Sequence, residues 1–438
     1  MRIAIIGTGY VGLVSGVCFS EFGFDVTCVD TDPEKIARLE DGVVPIFEPG
    51  LEDMLARNSA RLAFTTDLQA ALSNADAVFI AVGTPSRRGD GEADLTYVEA
   101  AARQVARAMR PGTLVVVKST VVVGTTRRIK QIIADETPGK DFSIASNPEF
   151  LREGSAIEDF MRPDRVVVGV DDDRGERILR QLYRPLNLRE TPIVVTSLEN
   201  AEITKYAANA FLAMKVTFIN EIADLCEKAG GDVQDIAKAI GIDNRIGSKF
   251  LHPGPGYGGS CFPKDTRAMA ATAARFGAPI RLVETTISVN DERIAKLADK
   301  VATEYEGDLS GKTVAVLGIA FKPNTDDIRE AASLTLIPAL QEAGAIIRAH
   351  DPEAMTAAKH VLENVVWCDD AYEACNRADI VVILTEWNEY RGLDLTRIAA
   401  SMRGRILIDF RNVYRLSEMR NCPLRYVSVG RPTVEGPV

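Results

Sequence analysis

Residues 2–12 read Arg-Ile-Ala-Ile-Ile-Gly7-Thr-Gly9-Tyr10-Val11-Gly12, and this stretch decides the fold. A five-residue run of strand character passes straight into a glycine turn, and a helical run opens at its end. Each glycine of Gly7-x-Gly9-x-x-Gly12 has its own use. The first permits the tight turn, the second lets a pyrophosphate approach the backbone, and the third lets helix and strand pack closely. The same glycines interrupt the apolar run and argue against a secretory signal.

Working outward, Asp30 closes the next strand-like run, DVTCV (25–29). A carboxylate there accepts both ribose hydroxyls of a dinucleotide and repels a 2′-phosphate, so NAD is expected over NADP. Lys35 lies close enough to offset charge at the adenosine end. AVFIAV (77–82), TLVVV (113–117), FSIAS (142–146) and VVVGV (166–170) continue the series without polar alternation, the pattern of strands buried on both faces of a parallel sheet. Carboxyl ends of such strands border the ligand crevice, which places Thr84 and Thr120 near cofactor or substrate.

From Leu198 to Ala229 no Gly or Pro occurs, and one long helix is expected, begun by a Thr196–Glu199 capping box and stopped at Gly230-Gly231. Further on, KTVAVLGIAF (312–321), EAGAIIRAHDPEA (342–354) and ADIVVIL (378–384) repeat the opening pattern without its three glycines, so the second copy is expected to bind something other than a dinucleotide. The fold class is α/β, with two Rossmann-like doubly wound domains, 1–197 and 307–438, flanking a helical domain, 198–306, that is expected to carry a dimer surface.

Composition narrows the classes. The chain has 438 residues and a net charge of −11, which disfavours nucleic acid and anionic membranes as partners. Its apolar runs are of strand length, too short for a bilayer. Seven cysteines without a CxxC pair suggest reduced thiols in the cytoplasm and no metal site. Three histidines leave Cys, Lys, Asp and Glu as the chemical material.

The segment Gly254-Pro-Gly-Tyr-Gly-Gly-Ser-Cys261-Phe-Pro-Lys-Asp265 concentrates that material. Its glycines expose backbone N–H groups and leave Cys261 uncrowded. Pro263 suits a first helical turn, whose partial positive charge favours a thiolate nearby. Lys205 and Asn209 are four apart on one face of the long helix, in apolar surroundings that suit a purposeful lysine. Asn147-Pro-Glu149-Phe150-Leu151-Arg-Glu153-Gly154 closes another strand with two carboxylates.

Taken with PIFEPGLE (45–52), VGTP (82–85), KSTVVVGT (118–125), KYAANAFLA (205–213) and GIAFKPNTDDIRE (318–330), these motifs resemble the UDP-glucose and GDP-mannose dehydrogenases, a family of nucleotide-sugar dehydrogenases, over essentially the whole chain. Val122 and Ala331 depart from the family's usual Pro and Ser and leave the chemical groups intact. The resemblance implies a four-electron oxidation of a sugar C6 alcohol by two NAD molecules in turn. Cys261 would form a thiohemiacetal and then a thioester, with Lys205 and Asn209 on the oxyanion and Asp265, Thr120 and Glu149 handling protons and water. Cofactor contacts would come from Gly7, Gly9, Tyr10, Val11, Gly12, Asp30, Lys35, Thr84, Thr120, Glu153, Lys264 and Arg329. Substrate contacts would come from the 149–153 turn (Glu149, Phe150, Leu151, Glu153), Lys205 and Asn209, with Arg245 reaching across a dimer. Lys249, Phe250, Tyr257, Gly258, Lys322 and Arg411 would complete that set. Segment 243–259 is most similar to the UDP-glucose branch, which implies UDP-glucose as the small-molecule substrate and a homodimer through the helical domain. GDP-mannose or a UDP-N-acetyl sugar, or the two-electron chemistry of β-hydroxyacid dehydrogenases, are the alternatives.

Overall fold

The computed structural model describes residues 1–87, 91–305 and 307–437. The chain forms two compact units, Met1–Ala208 with Ala271–Ala278, and Asn209–Ala270 with Pro279–Val438. The first is built on eight strands: β1 Arg2–Ile6, β2 Asp25–Val29, β3 Leu62–Thr65, β4 Ala77–Ile80, β5 Thr113–Val117, β6 Phe142–Ser146, β7 Val166–Val170 and β8 Ile193–Thr196. They lie in the order β3-β2-β1-β4-β5-β6-β7-β8, and all pair in parallel except β6 with β7.

Burial on both faces explains the missing alternation. Ile3 and Ile5 of β1 and Phe79 of β4 pack with Leu13, Val14 and Phe19 of helix α1 (Tyr10–Glu21) on one side. Ala4, Ile6, Val78 and Ile80 pack on the other with Ile129 and Ile133 of α2 (Thr125–Glu136). Strands β3 and β8, absent from the sequence reading, are the two sheet edges, and neither contains a fully buried residue. With little to bury, an edge strand leaves little hydrophobic signal.

In the second unit β9 Thr313–Leu317, β10 Ile346–His350, β11 Val365–Trp367, β12 Ile380–Ile383, β13 Ile406–Asp409 and β14 Arg425–Ser428 form an all-parallel sheet. Its order, β11-β10-β9-β12-β13-β14, repeats that of the first six strands of the other sheet. Both are Rossmann-like, with chain reversals at β1/β4 and β9/β12, where such sheets open a crevice.

The long helix, α3, runs over Leu198–Ala229. At ~1.5 Å per residue it is about 48 Å long. Its cap differs from the expected box. Ser197 Oγ, one residue further on, accepts the Asn200 N–H at 3.2 Å, while Glu199 pairs with Arg127 at 2.6 Å. Glu202, buried in the next turn, accepts the Gly124 and Thr126 N–H groups at the start of α2, at 2.7 and 2.6 Å. Gly230 ends α3 as expected, at φ +78°. Four further helices follow among the described residues, Val233–Gly241, α4 Phe262–Arg275, α5 Arg281–Ala295 and Leu297–Glu304.

Candidate active site

In the first unit the glycine turn has the form its spacing demands. Gly7 adopts φ +99°, and a Cβ on Gly12 would lie 1.9 Å from the Gly7 carbonyl oxygen, so neither position admits a side chain. At Gly9, nothing lies within 4 Å of such a Cβ, which leaves room for a pyrophosphate at the start of α1. The Asp30 carboxylate accepts the Thr8 N–H at 2.8 Å and the Thr8 hydroxyl at 2.6 Å, with Lys35 Nζ at 3.2 Å. Burial alone would raise its pKa, but the Thr8 and Asp32 hydrogen bonds and Lys35 together hold it below the usual carboxylate range. An ionised acceptor beside this turn fits NAD. Val11 packs against the core, and the Tyr10 hydroxyl donates to buried Glu48 and accepts the Gly154 N–H at 2.9 Å.

The turn after β6 carries the second cluster. Lys205 Nζ donates to Glu149 Oε1 at 3.0 Å, with side-chain exposures of 3% and 5%. Glu149 Oε2 accepts the Leu151 N–H, which stiffens the turn. Phe150 lies under two cations, Arg165 at 3.7 Å and Lys205 at 5.4 Å from its ring centre. Thr84 Oγ1 donates to the Thr120 carbonyl at 2.9 Å and joins the loops after β4 and β5. Glu153 is half-buried in the same turn as Glu149.

The second unit holds the cysteine. Six of the seven cysteines are buried, and Cys261 alone is half-exposed. It immediately precedes α4, and its carbonyl accepts the Asp265 N–H at 2.8 Å. Asp265 is buried and bridges two donors, Asn209 Nδ2 at 2.6 Å and Lys264 Nζ at 2.6 Å. Lys264 is thereby turned to the acid. The glycines of this loop lie against neighbours: a Cβ on Gly258 would meet the Glu330 carbonyl at 2.2 Å, and one on Gly259 the Phe321 ring at 2.6 Å. Tyr257 is buried, which pushes its phenol up to about 12, and its ring packs edge-on to Phe262.

The remaining predicted contacts are more scattered. Arg245 has 89% of its side chain exposed and pairs with Asp243 at 2.6 Å. Lys249 is exposed, and Phe250 packs on Phe262 with centroids 5.9 Å apart. Lys322 lies 5.2 Å from the Phe321 ring centre. Arg329 pairs with Asp327, and its carbonyl accepts the Gly259 N–H at 2.9 Å. Arg411 donates to the Leu384 and Phe321 carbonyls, both at 2.7 Å, and so ties the ends of β12 and β13 to the segment after β9.

Asp351 stands at the end of β10 as Asp30 does after β2. It is fully buried and accepts from Ile319 N, Ala320 N, Glu353 N, Ala354 N and Trp387 Nε1. That burial closes the carboxylate to a ribose.

The sequence reading missed the residues that brace the cysteine loop. Asn220 Oδ1 accepts the Gly254 N–H at 2.8 Å, Asn290 bonds both Tyr257 N and Tyr257 O, and Arg293 donates to Gly254 O at 2.8 Å. They lie 33 to 39 residues from their partners, or 34 on the other side for Asn220, so no local motif announces them.

Three domain profiles of one family match the chain: the NAD-binding domain of the UDP-glucose/GDP-mannose dehydrogenases at 1–187, their central domain at 199–292 and their UDP-binding domain at 315–416. A UDP-glucose 6-dehydrogenase of Rhizobium meliloti (strain 1021) is 55% identical, covering 99% of this chain and 100% of the relative. UDP-glucose 6-dehydrogenase TuaD of Bacillus subtilis (strain 168) is 46% identical over 99% and 94%. A UDP-glucose dehydrogenase structure from Pyrobaculum islandicum superposes with a TM-score of 0.90 at 41% identity, covering 98% of both chains.

Proposed function

Because the chain belongs to the UDP-glucose/GDP-mannose dehydrogenase family and is an NAD-dependent nucleotide-sugar dehydrogenase, we propose that it oxidises UDP-glucose to UDP-glucuronate through a Cys261-bound intermediate. Bound NAD supplies a hydride acceptor, once for each of the two oxidations. The Gly7–Gly12 turn and Asp30 hold it.

In the first oxidation the C6 alcohol loses a proton to water placed by Thr120 and Glu149, and a hydride leaves C6 to give an aldehyde. An aldehyde has no good hydride to lose until a nucleophile makes it tetrahedral. The Cys261 sulfur therefore bonds to C6, giving a thiohemiacetal whose oxyanion is stabilised by Lys205 and Asn209. Loss of the second hydride leaves a thioester. Water adds to it, the C–S bond breaks, and the thiol regains its proton through Asp265, whose carboxylate is already held by Asn209 and Lys264. Arg245, Lys249, Phe250, Tyr257, Lys322 and Arg411 are assigned to the nucleotide sugar.

The observation that carries this reading is the half-exposed Cys261 at the start of α4, beside a buried acid shared by two donors. Counting NADH per UDP-glucose consumed tests it. Two are expected, a limiting ratio of one would favour two-electron chemistry, and turnover of GDP-mannose alone would move the assignment within the family.

We also propose a homodimer through the helical region. Phe211, Phe218 and Leu225 recur every seven residues on α3 and are 57%, 49% and 61% exposed, an apolar stripe suited to a two-fold partner. Among the described residues no helix is long and apolar enough to cross a membrane. None of the seven cysteines is joined in a disulfide, which suits the reducing cytoplasm.

A further inference from the structure

Lys118 directly follows β5 inside the first unit, and none of the steps above uses it. It is 3% exposed. Its ammonium reaches Asn147 Oδ1 at 3.1 Å, Asn147 O at 3.5 Å and the Tyr183 hydroxyl at 3.4 Å, all neutral oxygens. Tyr183 donates in turn to Asn147 Oδ1 at 2.6 Å, and Asn147 Nδ2 donates to Val167 O at 2.8 Å. Asn147 is two residues before Glu149, so this network fixes the root of the turn that presents Glu149 to Lys205. A buried ammonium without a hydrogen-bonded carboxylate costs stability, and an apolar side chain of similar length would cost less. Retaining it points to a use other than folding.

We propose that Lys118 is a positioning residue for the Glu149–Lys205 pair: it pins the turn carrying Glu149 and adds a second buried positive charge beside that carboxylate. This role rests on the function proposed above and deepens it. The charged and titratable groups facing Lys118 are Glu149, Lys205, Cys18 of α1 and Tyr183; burial pushes the Cys18 thiol and the Tyr183 phenol up, so both stay neutral. Burial also draws the Lys118 ammonium down to about 8, with Glu149 opposing that shift and Lys205 adding to it. The charge is therefore present below about pH 8 and absent well above it.

The test compares wild type with Lys118→Gln, which keeps a donor and removes the charge, Lys118→Met, which removes both, and Tyr183→Phe, which keeps the charge. Each is assayed for kcat and KM with NAD and UDP-glucose from pH 6.5 to 10. Lys118→Gln should lower kcat about tenfold at pH 7, with little change in KM. That deficit should shrink to about twofold at pH 10, where the wild type has lost the same charge. Lys118→Met should add a deficit that does not vary with pH, and Tyr183→Phe should show only such a deficit. A Lys118→Gln deficit of equal size at both ends of the range overturns the proposal, as does full activity at pH 7. If Lys118→Gln does not fold, unchanged activity in Tyr183→Phe overturns the pinning role, and a pH-independent deficit supports it. A wild type that makes no NADH from UDP-glucose overturns the underlying function, and this role falls with it.

Discussion

Lys205 and Glu149 form an ion pair 3.0 Å long with both side chains almost wholly removed from solvent. Breaking one side of such a pair strands the other charge. Lys205→Met should cost about 3–5 kcal/mol of stability and abolish measurable turnover. The double variant Lys205→Met/Glu149→Leu should melt near the wild type and remain inactive. Thermal melts beside NADH assays separate the two effects, and a double variant as unstable as the single would count against the pair as the cause.

Cys261 should be the first thiol to react. The other six cysteines are buried, and burial pushes up the thiols of Cys18, Cys28, Cys226, Cys368, Cys375 and Cys422. Brief iodoacetamide treatment, read by peptide mass mapping, should label Cys261 ahead of the rest and remove activity in step with labelling. Cys261→Ala should fold normally and fail to complete the oxidation.

Two glycines of one motif should behave oppositely. Gly12→Ala forces a methyl into the Gly7 carbonyl and should leave little folded protein. Gly9→Ala meets nothing within 4 Å, so the variant should melt within about 1 kcal/mol of wild type and bind NAD at least tenfold more weakly. Melting curves and NAD titration by calorimetry check both.

Asp30 should govern cofactor choice and its acid limit. Its folded pKa lies below its unfolded value of about 3.9, so its stabilising contribution is complete above that value and is lost only as pH falls through the lower, folded one. Asp30→Ser should weaken NAD binding about tenfold and narrow the preference over NADP. It should also reduce the pH dependence of melting below pH 4 and leave that above pH 5 unchanged.

If α3 carries a two-fold contact, Phe218→Glu should halve the mass seen by sedimentation. A wild type that sediments as a monomer at micromolar concentration would defeat that assignment.

Much of the fold was legible because burial on both faces of a parallel sheet leaves unbroken apolar runs. Strands β1, β2, β4, β5, β6 and β7 are such runs, and the edge strands β3 and β8 are not. The span of α3 was read correctly as Leu198–Ala229, but its cap was placed one residue early, since Thr196 and Ser197 are chemically equivalent caps and only backbone direction chooses Ser197. In the candidate site, Gly7, Gly12, Asp30 and Cys261 announce themselves through local spacing. The Tyr10 hydroxyl, by contrast, is committed to Glu48, 38 residues away, a partner that no local spacing records.

Sequence alone determined the glycine turn, the repeated strand–helix pattern and the cysteine loop, because each depends on neighbours within a few residues: a φ that only glycine tolerates, a period of burial, a proline in a first turn. Tertiary structure decided which polar groups are spent on one another. Asp351 copies Asp30 in sequence yet is buried under five donors, and Lys118 gains its importance from Asn147 and Tyr183, which lie 29 and 65 residues further on. Hydrogen bonding and desolvation act through space at about 3 Å, and no local pattern records which distant segment will supply the partner.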